Sequence, residues 1–126
     1  MGEKTILSSR RAVGSRYEDT AACYLKEKGY EILARNYRNR YGEIDIIAKD
    51  ETGVLVVVEA KYRSDDEYGD PLCAVDLRKQ RRISRTTLWY YMEKKLPEET
   101  PCRFDVIAIH RDGRIQHIEN AFDFHS

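Results

Sequence analysis

The sequence has few of the features that mark a membrane, secreted or zinc-binding protein. Its longest apolar run, Val54 to Val58, is far too short to cross a bilayer. Its three cysteines stand at least 29 positions apart, without the close Cys and His spacing of a zinc site or a disulfide framework. Free thiols and the lack of a secretory signal favour a cytoplasmic protein with no membrane partner.

A net charge is also lacking, because 22 Lys and Arg balance 22 Asp and Glu. The whole-molecule charge therefore gives no argument for nucleic acid. The distribution is uneven, however: residues 43–76 hold ten acidic and three basic side chains, and residues 77–95 hold seven basic and one acidic. This pattern suits a polyanion held through a metal between positive flanks. The solvated faces of an ordinary domain would give the same pattern.

Hydrophobic spacing and turn residues predict the order αβββαβ with an extra C-terminal strand. Residues 1–9 are expected to form a flexible N-terminal arm and residues 10–126 a single domain. Helices are predicted at about 10–28 and 76–95, and strands at about 30–37, 42–48, 54–61, 103–110 and 114–119. Helices flanking a mixed central sheet make this an α/β or α+β domain.

The second predicted helix has a plausible N-cap at Asp76. We expect Leu77 to face the core near its start. The later apolar stripe of this helix is predicted to consist of Ile83, Thr87, Leu88, Tyr91 and Met92.

Two acidic residues and a lysine stand where the strands should be apolar. Glu59 and Lys61 share one face of the third strand, since residues two apart in a strand point the same way. A hairpin turning around residues 50–53 places Asp45 opposite Glu59. Two carboxylates this close repel each other and favour a shared proton or a hard divalent cation. Alternatively, the third strand ends near Val58, and both Glu59 and Lys61 lie in water.

Basic residues are concentrated on the second helix, where they cover more than one face: Arg78, Lys79, Arg81, Arg82 and Arg85. Lys79 and Arg82 share a face and are predicted to contact phosphates. A second basic patch consists of Arg35, Arg38 and Arg40, interleaved with Tyr37 and Tyr41. The tyrosine rings are suited to stacking on unpaired bases. An ordinary amphipathic helix and core tyrosines are the competing interpretations.

Asp45, followed by Glu59-Ala60-Lys61, resembles the D…(D/E)xK signature of the PD-(D/E)XK nuclease superfamily, whose core has the same αβββαβ order. The resemblance extends to the bacterial YraN (UPF0102) family, whose members look like archaeal Holliday-junction resolvases. The stretches that carry it are Gly14–Ala21, Gly42–Ile47, Val58–Arg63, Ala74-Val75, Lys79 with Arg82-Ile83, and Arg103–Ile107.

This resemblance implies a restriction-endonuclease-like fold and a metal-dependent, structure-selective DNA endonuclease that hydrolyses phosphodiester bonds. It implies that Asp45, Glu59 and the carbonyl of Ala60 bind Mg²⁺ or Mn²⁺, and that Glu18 on the first helix completes the metal site. Lys61 would assist the nucleophilic water. The implied partner is DNA, branched or single-stranded, with Arg38 and Arg40 joining Lys79 and Arg82 in binding it; a homodimer is compatible with resolvase-like cutting.

Two other functions stay open at this point. One is a nucleic-acid-binding protein of the same fold with weak or no catalysis. The other is a protein-interaction module in which the carboxylates and Lys61 form a buried ionic network. Glu43 is expected to point outward as a secondary acid. Asp105 is expected to be structural, bonded to Arg103 or to a neighbouring strand end.

Overall fold

The computed structural model describes residues 16–64 and 75–125, and their helices and strands follow the predicted order. A helix over residues 16–27, α1, precedes the strands Glu31–Asn39 (β1), Gly42–Lys49 (β2) and Leu55–Arg63 (β3). The helix Leu77–Glu93 (α2) leads to the strands Cys102–His110 (β4) and Ile115–Phe122 (β5). The mixed α/β order αβββαβ with a fifth strand is confirmed. The arm predicted for residues 1–9 lies outside the described residues.

One mixed sheet contains the five strands in the order β1-β2-β3-β4-β5. Neighbours pair antiparallel except β3 and β4, which are parallel and are connected through α2. The central strand β3 is buried from Leu55 to Val58. A continuous β-branched run of this kind is typical of a strand covered on both faces.

The two helices cover opposite faces of the sheet. Ala21 and Leu25 of α1 pack in one core cluster with Val56 and Val58. The α2 helix packs in the other cluster, which contains Val57. Since successive side chains of β3 point to opposite faces, these clusters form two separate layers of the core.

The β2–β3 hairpin fixes the positions of the two strands that carry the acidic residues. The Asp50 carboxylate accepts hydrogen bonds from the backbone N–H groups of Thr52 and Val54, each at 2.9 Å. Gly53 has a φ of +95°, in the left-handed region that favours glycine. Ile46 consequently pairs with Val58, as the predicted turn requires.

Helix α2 begins as predicted but is rotated differently about its axis. Asp76 caps it by accepting from the Lys79 N–H at 2.9 Å. The expectation that Leu77, Leu88 and Met92 face the core is wrong, because they are 48%, 48% and 60% exposed. The buried positions of α2 are Ile83, Ser84, Thr86, Thr87 and Tyr90. Ile83 and Thr87 of the predicted stripe are therefore buried, whereas Leu77, Leu88 and Met92 lie on other sides of the helix.

Candidate functional site

Asp45 and Glu59 meet where β2 and β3 separate. The paired residues of the two strands end at Ile46 and Val58, so these carboxylates occupy the next position on each strand. The Ala60 N–H donates to Asp45 Oδ2 at 2.9 Å. Burial, and then the negative charge of Glu59, raise the pKa of Asp45 to about 8. The predicted proximity of the two acids is present, and it favours a shared proton or a bound cation.

Lys79 is the third charged group at this position. Its ammonium makes an ion pair with Glu59 Oε1, and the Glu59 side chain is only 12% exposed. The Asp76 cap orders the first turn of α2 and holds Lys79 on the side that faces β3. In this structure the Lys79 ammonium therefore neutralises a carboxylate, although the sequence predicts a phosphate contact for it.

An open cleft of about 450 Å³ surrounds the acidic pair. Its lining residues are Arg38, Asn39, Arg40, Tyr41, Gly42, Glu43, Asp45, Glu59, Lys79, Arg82 and Ile83. All the basic residues predicted to bind nucleic acid thus line the same cleft as the two acids. A Cβ on Gly42 would lie 3.0 Å from Arg82 Cγ, so glycine allows β2 to approach α2 closely here. Glu43, expected to point outward, is exposed at the cleft and pairs with Arg38 at 3.3 Å.

Glu18 of α1 lies near the pair without joining it. Its negative charge contributes to the raised pKa of Asp45. Burial raises the pKa of Glu18 itself, while the Arg35 charge and a hydrogen bond to Asn36 oppose that shift. Among residues 16–64 and 75–125, no three acidic, histidine or cysteine side chains form a group able to hold a metal ion. The role of Glu18 as a ligand stays a prediction.

Lys61 is half-buried on β3, two residues beyond Glu59. Strand alternation directs both side chains to the same face. The cleft lining does not include Lys61, and it makes no hydrogen bond or ion pair with the other residues that the structure describes. Its predicted role in assisting the nucleophilic water stays a prediction.

Sequence reasoning missed Asn36 and Trp89. Asn36 has a φ of +52° within β1 and lies within hydrogen-bonding reach of Glu18. Asparagine is among the residues that tolerate this left-handed conformation, but no sequence signal marks the position. Trp89 of α2 stacks on Tyr41 at the cleft, and its spacing from Arg82 and Arg85 on one helix face was a signal that could have found it.

A second buried polar cluster has the structural role expected for Asp105. This carboxylate is fully buried and accepts from Arg103 Nε at 3.1 Å, His117 Nε2 at 2.7 Å and the Asn120 N–H at 3.0 Å. Burial opposes ionisation, but the bonds from His117 and Arg103 prevail and lower the pKa of Asp105. Arg103 also bonds Asp50 at 2.9 Å, which ties β4 to the β2–β3 turn.

The donor set of Asp45 and Glu59 fits a hard divalent cation. Mg²⁺ is commonly held by one or two carboxylates and keeps several of its waters. Burial and the negative charge of Glu59 raise the pKa of Asp45, and such a cation would relieve the repulsion between the two carboxylates. The carbonyl of Ala60, next to Glu59 on β3, is the further oxygen that the family resemblance implies.

The fold and the site together define a mixed α/β protein with an acidic pair in a cleft lined by arginines and a lysine. The chain belongs to the uncharacterised protein family UPF0102, whose model matches residues 17–109. A UPF0102 protein of Lachnoclostridium phytofermentans is 51% identical, covering 91% of this chain and 96% of that protein. One from Trichlorobacter lovleyi is 50% identical, covering 94% and 95%, and one from Coxiella burnetii is 35% identical, covering 94% and 98%.

The solved structure of Pyrococcus furiosus SfsA in complex with Ca²⁺ is similar over 88% of this chain and 63% of that chain. The identity is 12% and the TM-score is 0.31, which does not establish a common fold. None of the helices in the described part of the chain has the length and apolarity needed to cross a membrane.

Proposed function

We propose that this protein is a metal-dependent, structure-selective DNA endonuclease that hydrolyses phosphodiester bonds. The observation that carries the proposal is the acidic pair, Asp45 and Glu59, inside a cleft lined by basic side chains. A structural ion pair needs no open cleft around it. A phosphodiester substrate, in contrast, requires both a cation site and positive charge for the flanking phosphates.

The proposal divides the roles among the side chains of the site. Asp45, Glu59 and the Ala60 carbonyl would hold the cation, which when bound lowers the pKa of a water and stabilises charge on the phosphate. Arg38, Arg40 and Arg82, which line the cleft, would contact the DNA backbone. Lys61, on the same face of β3 as Glu59, would orient the attacking water. The Lys79 ammonium, paired with Glu59, would hold this carboxylate in place.

Cleavage of labelled duplex, single-stranded, flapped and four-way-junction DNA tests this proposal. Each substrate is incubated with Mg²⁺, Mn²⁺ or EDTA, and Asp45→Asn and Lys61→Ala are assayed in parallel. Asparagine is isosteric with aspartate, so a folded variant should lose cleavage through loss of the charge alone. Glu98→Gln, an exposed acidic position away from the cleft, is the matched control and should cut at the parental rate. Products that form in EDTA, or that survive both substitutions, would contradict the proposal.

A nucleic-acid-binding protein with weak or no catalysis is the second candidate. It is favoured by the absence of a third ligating side chain beside Asp45 and Glu59 within the described ranges. This alternative predicts DNA binding that weakens steeply with salt. It also predicts that no metal-dependent product forms on any of the four substrates.

A further inference from the structure

An aromatic pair adjoins the cleft: Tyr41 lines the cleft, and Trp89 stacks on Tyr41. Tyr41 follows β1, and its backbone N–H donates to the Asn39 side chain at 2.9 Å, which fixes the turn. The Tyr41 ring stacks on Trp89 of α2, with ring centroids 5.4 Å apart and planes inclined by 22°. Trp89 remains 40% exposed. The molecule therefore presents an ordered aromatic surface to solvent.

Positive charge surrounds this aromatic pair. The Arg40 and Arg85 guanidinium groups lie 5.5 and 5.8 Å from the centre of the Tyr41 ring. Arg85 is one helical turn before Trp89, and Arg82, nearly one turn earlier, lines the cleft. A basic strip thus runs along one side of α2 from the cleft to the aromatic pair.

The aromatic surface is continuous with the cleft that holds the acidic pair, because Tyr41, on which Trp89 stacks, lines that cleft together with Asp45 and Glu59. Aromatic rings beside a basic groove are the usual means of binding single strands: bases stack on the rings and phosphates contact the cations. In duplex DNA the bases are already stacked and paired, so their faces are not available to Trp89. The arrangement is thus suited to DNA that contains an unpaired nucleotide.

We propose that Trp89 and Tyr41 form a stacking platform for an unpaired base of the DNA strand whose backbone enters the cleft. The inference rests on the proposed function and deepens it, since it names the substrate feature that this site selects. Arg85 and Arg40 contact the phosphates next to the stacked base. Substrates with a single-stranded segment, such as flaps, are therefore preferred to continuous duplex.

Trp89 is the only tryptophan of the chain, so its fluorescence reports directly on stacking. The full-length protein is titrated in EDTA with short oligo-dT and with a duplex of the same length. We expect oligo-dT to quench the fluorescence and the duplex to leave it nearly unchanged. Equal quenching by both, or no quenching when oligo-dT is bound, would overturn the inference.

Binding of labelled DNA to variants measures the contribution of the platform. Because stacking on one aromatic side chain contributes about 1–3 kcal/mol, Trp89→Ala should weaken oligo-dT binding by about 5- to 150-fold. Duplex binding should change less than about twofold. Trp89→Phe keeps an aromatic face and should retain most of the affinity, which separates stacking from folding. The matched control is Leu88→Ala, an exposed apolar position of the same helix outside the cleft, and it should bind as the parent does.

Cleavage by the same variants separates this inference from the proposed function. If oligo-dT is selected through Trp89 but Mg²⁺ and Mn²⁺ give no product, the endonuclease proposal fails and the stacking platform is supported. If Trp89→Ala cuts flapped and duplex DNA in the parental ratio, the endonuclease proposal stands and the platform is overturned. Trp89 fluorescence that responds to protein concentration and not to DNA would assign the aromatic pair to contact between copies of the chain, and would also overturn it.

Discussion

Replacing Asp45 with asparagine should stabilise the metal-free protein. Asp45 is held beside Glu59, and burial together with the Glu59 charge raises its pKa to about 8. In the unfolded chain the pKa returns to its ordinary value of 3.8. Near neutral pH the folded protein therefore keeps Asp45 protonated while the unfolded chain does not, which lowers the free energy of unfolding by about 1.36 kcal/mol for each pH unit above 3.8. Near neutral pH the upper limit of this destabilisation is about 4 kcal/mol. Partial exposure and relaxation of the pair reduce the expected gain to about 1–2 kcal/mol.

The pH dependence of this gain has a definite sign. Between about pH 4 and pH 8 the folded protein holds a proton at Asp45 that the unfolded chain has lost, so the parent becomes less stable as pH rises. Above the folded pKa the penalty is complete and no longer changes. The asparagine variant has no such proton, and its side-chain oxygen can still accept from the Ala60 N–H. Its advantage should be small near pH 4 and largest above pH 8.

Urea denaturation in EDTA across this pH range measures the difference in the free energy of unfolding. Glu43→Gln is the matched control, because Glu43 is an exposed acid on the same strand with only a surface ion pair to Arg38. It should change stability by less than about 1 kcal/mol at any pH. A gain for Asp45→Asn that does not vary with pH, or a loss of stability, would refute the reasoning.

Three further predictions concern the rest of the fold and the cation. Asp105→Asn should lower the free energy of unfolding by about 3 kcal/mol, because it leaves the Arg103 guanidinium without its buried carboxylate partner. An unchanged midpoint of urea denaturation would contradict this prediction. Gly29→Ala and Gly53→Ala should each lower the free energy of unfolding by about 1 kcal/mol, since both glycines have φ above +90°. The loss should be greater for Gly29→Ala, because its Cβ would meet the Glu51 side chain. Equal melting temperatures of the variants and the parent would contradict this prediction. Mg²⁺ should stabilise the parent more at alkaline than at acidic pH, because the cation displaces a proton from the acidic pair. Thermal unfolding with and without Mg²⁺ at two pH values measures this stabilisation, and a larger effect at acidic pH would contradict the prediction.

The position of the acidic pair could be predicted because it depends on local turn chemistry. Asp50 and Gly53 define the hairpin, and the hairpin sets which residues of β2 and β3 face each other. Once that register is known, Asp45 and Glu59 must be neighbours. The element order was equally accessible, since each strand and helix has its own periodic pattern and its own end signals.

The rotation of α2 could not be predicted, because its sequence has no single apolar stripe. Ile83 and Thr87 of the predicted stripe are buried, but Leu88 and Met92 are exposed, and Tyr90 is buried although the stripe did not include it. The helix is oriented by close approach to the sheet, including the contact between Gly42 and Arg82. Such tertiary contacts have no local signal. The partner of Lys79 depends on the same rotation. The stack of Trp89 on Tyr41 depends on it too, although the spacing of Trp89 from Arg82 and Arg85 marked the helix face on which it lies.

Lys79 places a positive charge beside the two adjacent carboxylates. Its ammonium makes an ion pair with Glu59, while burial and the negative charge of Glu59 raise the pKa of Asp45. A divalent cation that takes both carboxylates would compete with this ion pair and release the ammonium toward the cleft, where the DNA phosphates are proposed to lie. The observed contact of Lys79 with Glu59 and its predicted contact with phosphate are then alternatives for one side chain. If the proposed function holds, cation binding and DNA binding should therefore reinforce each other at this site.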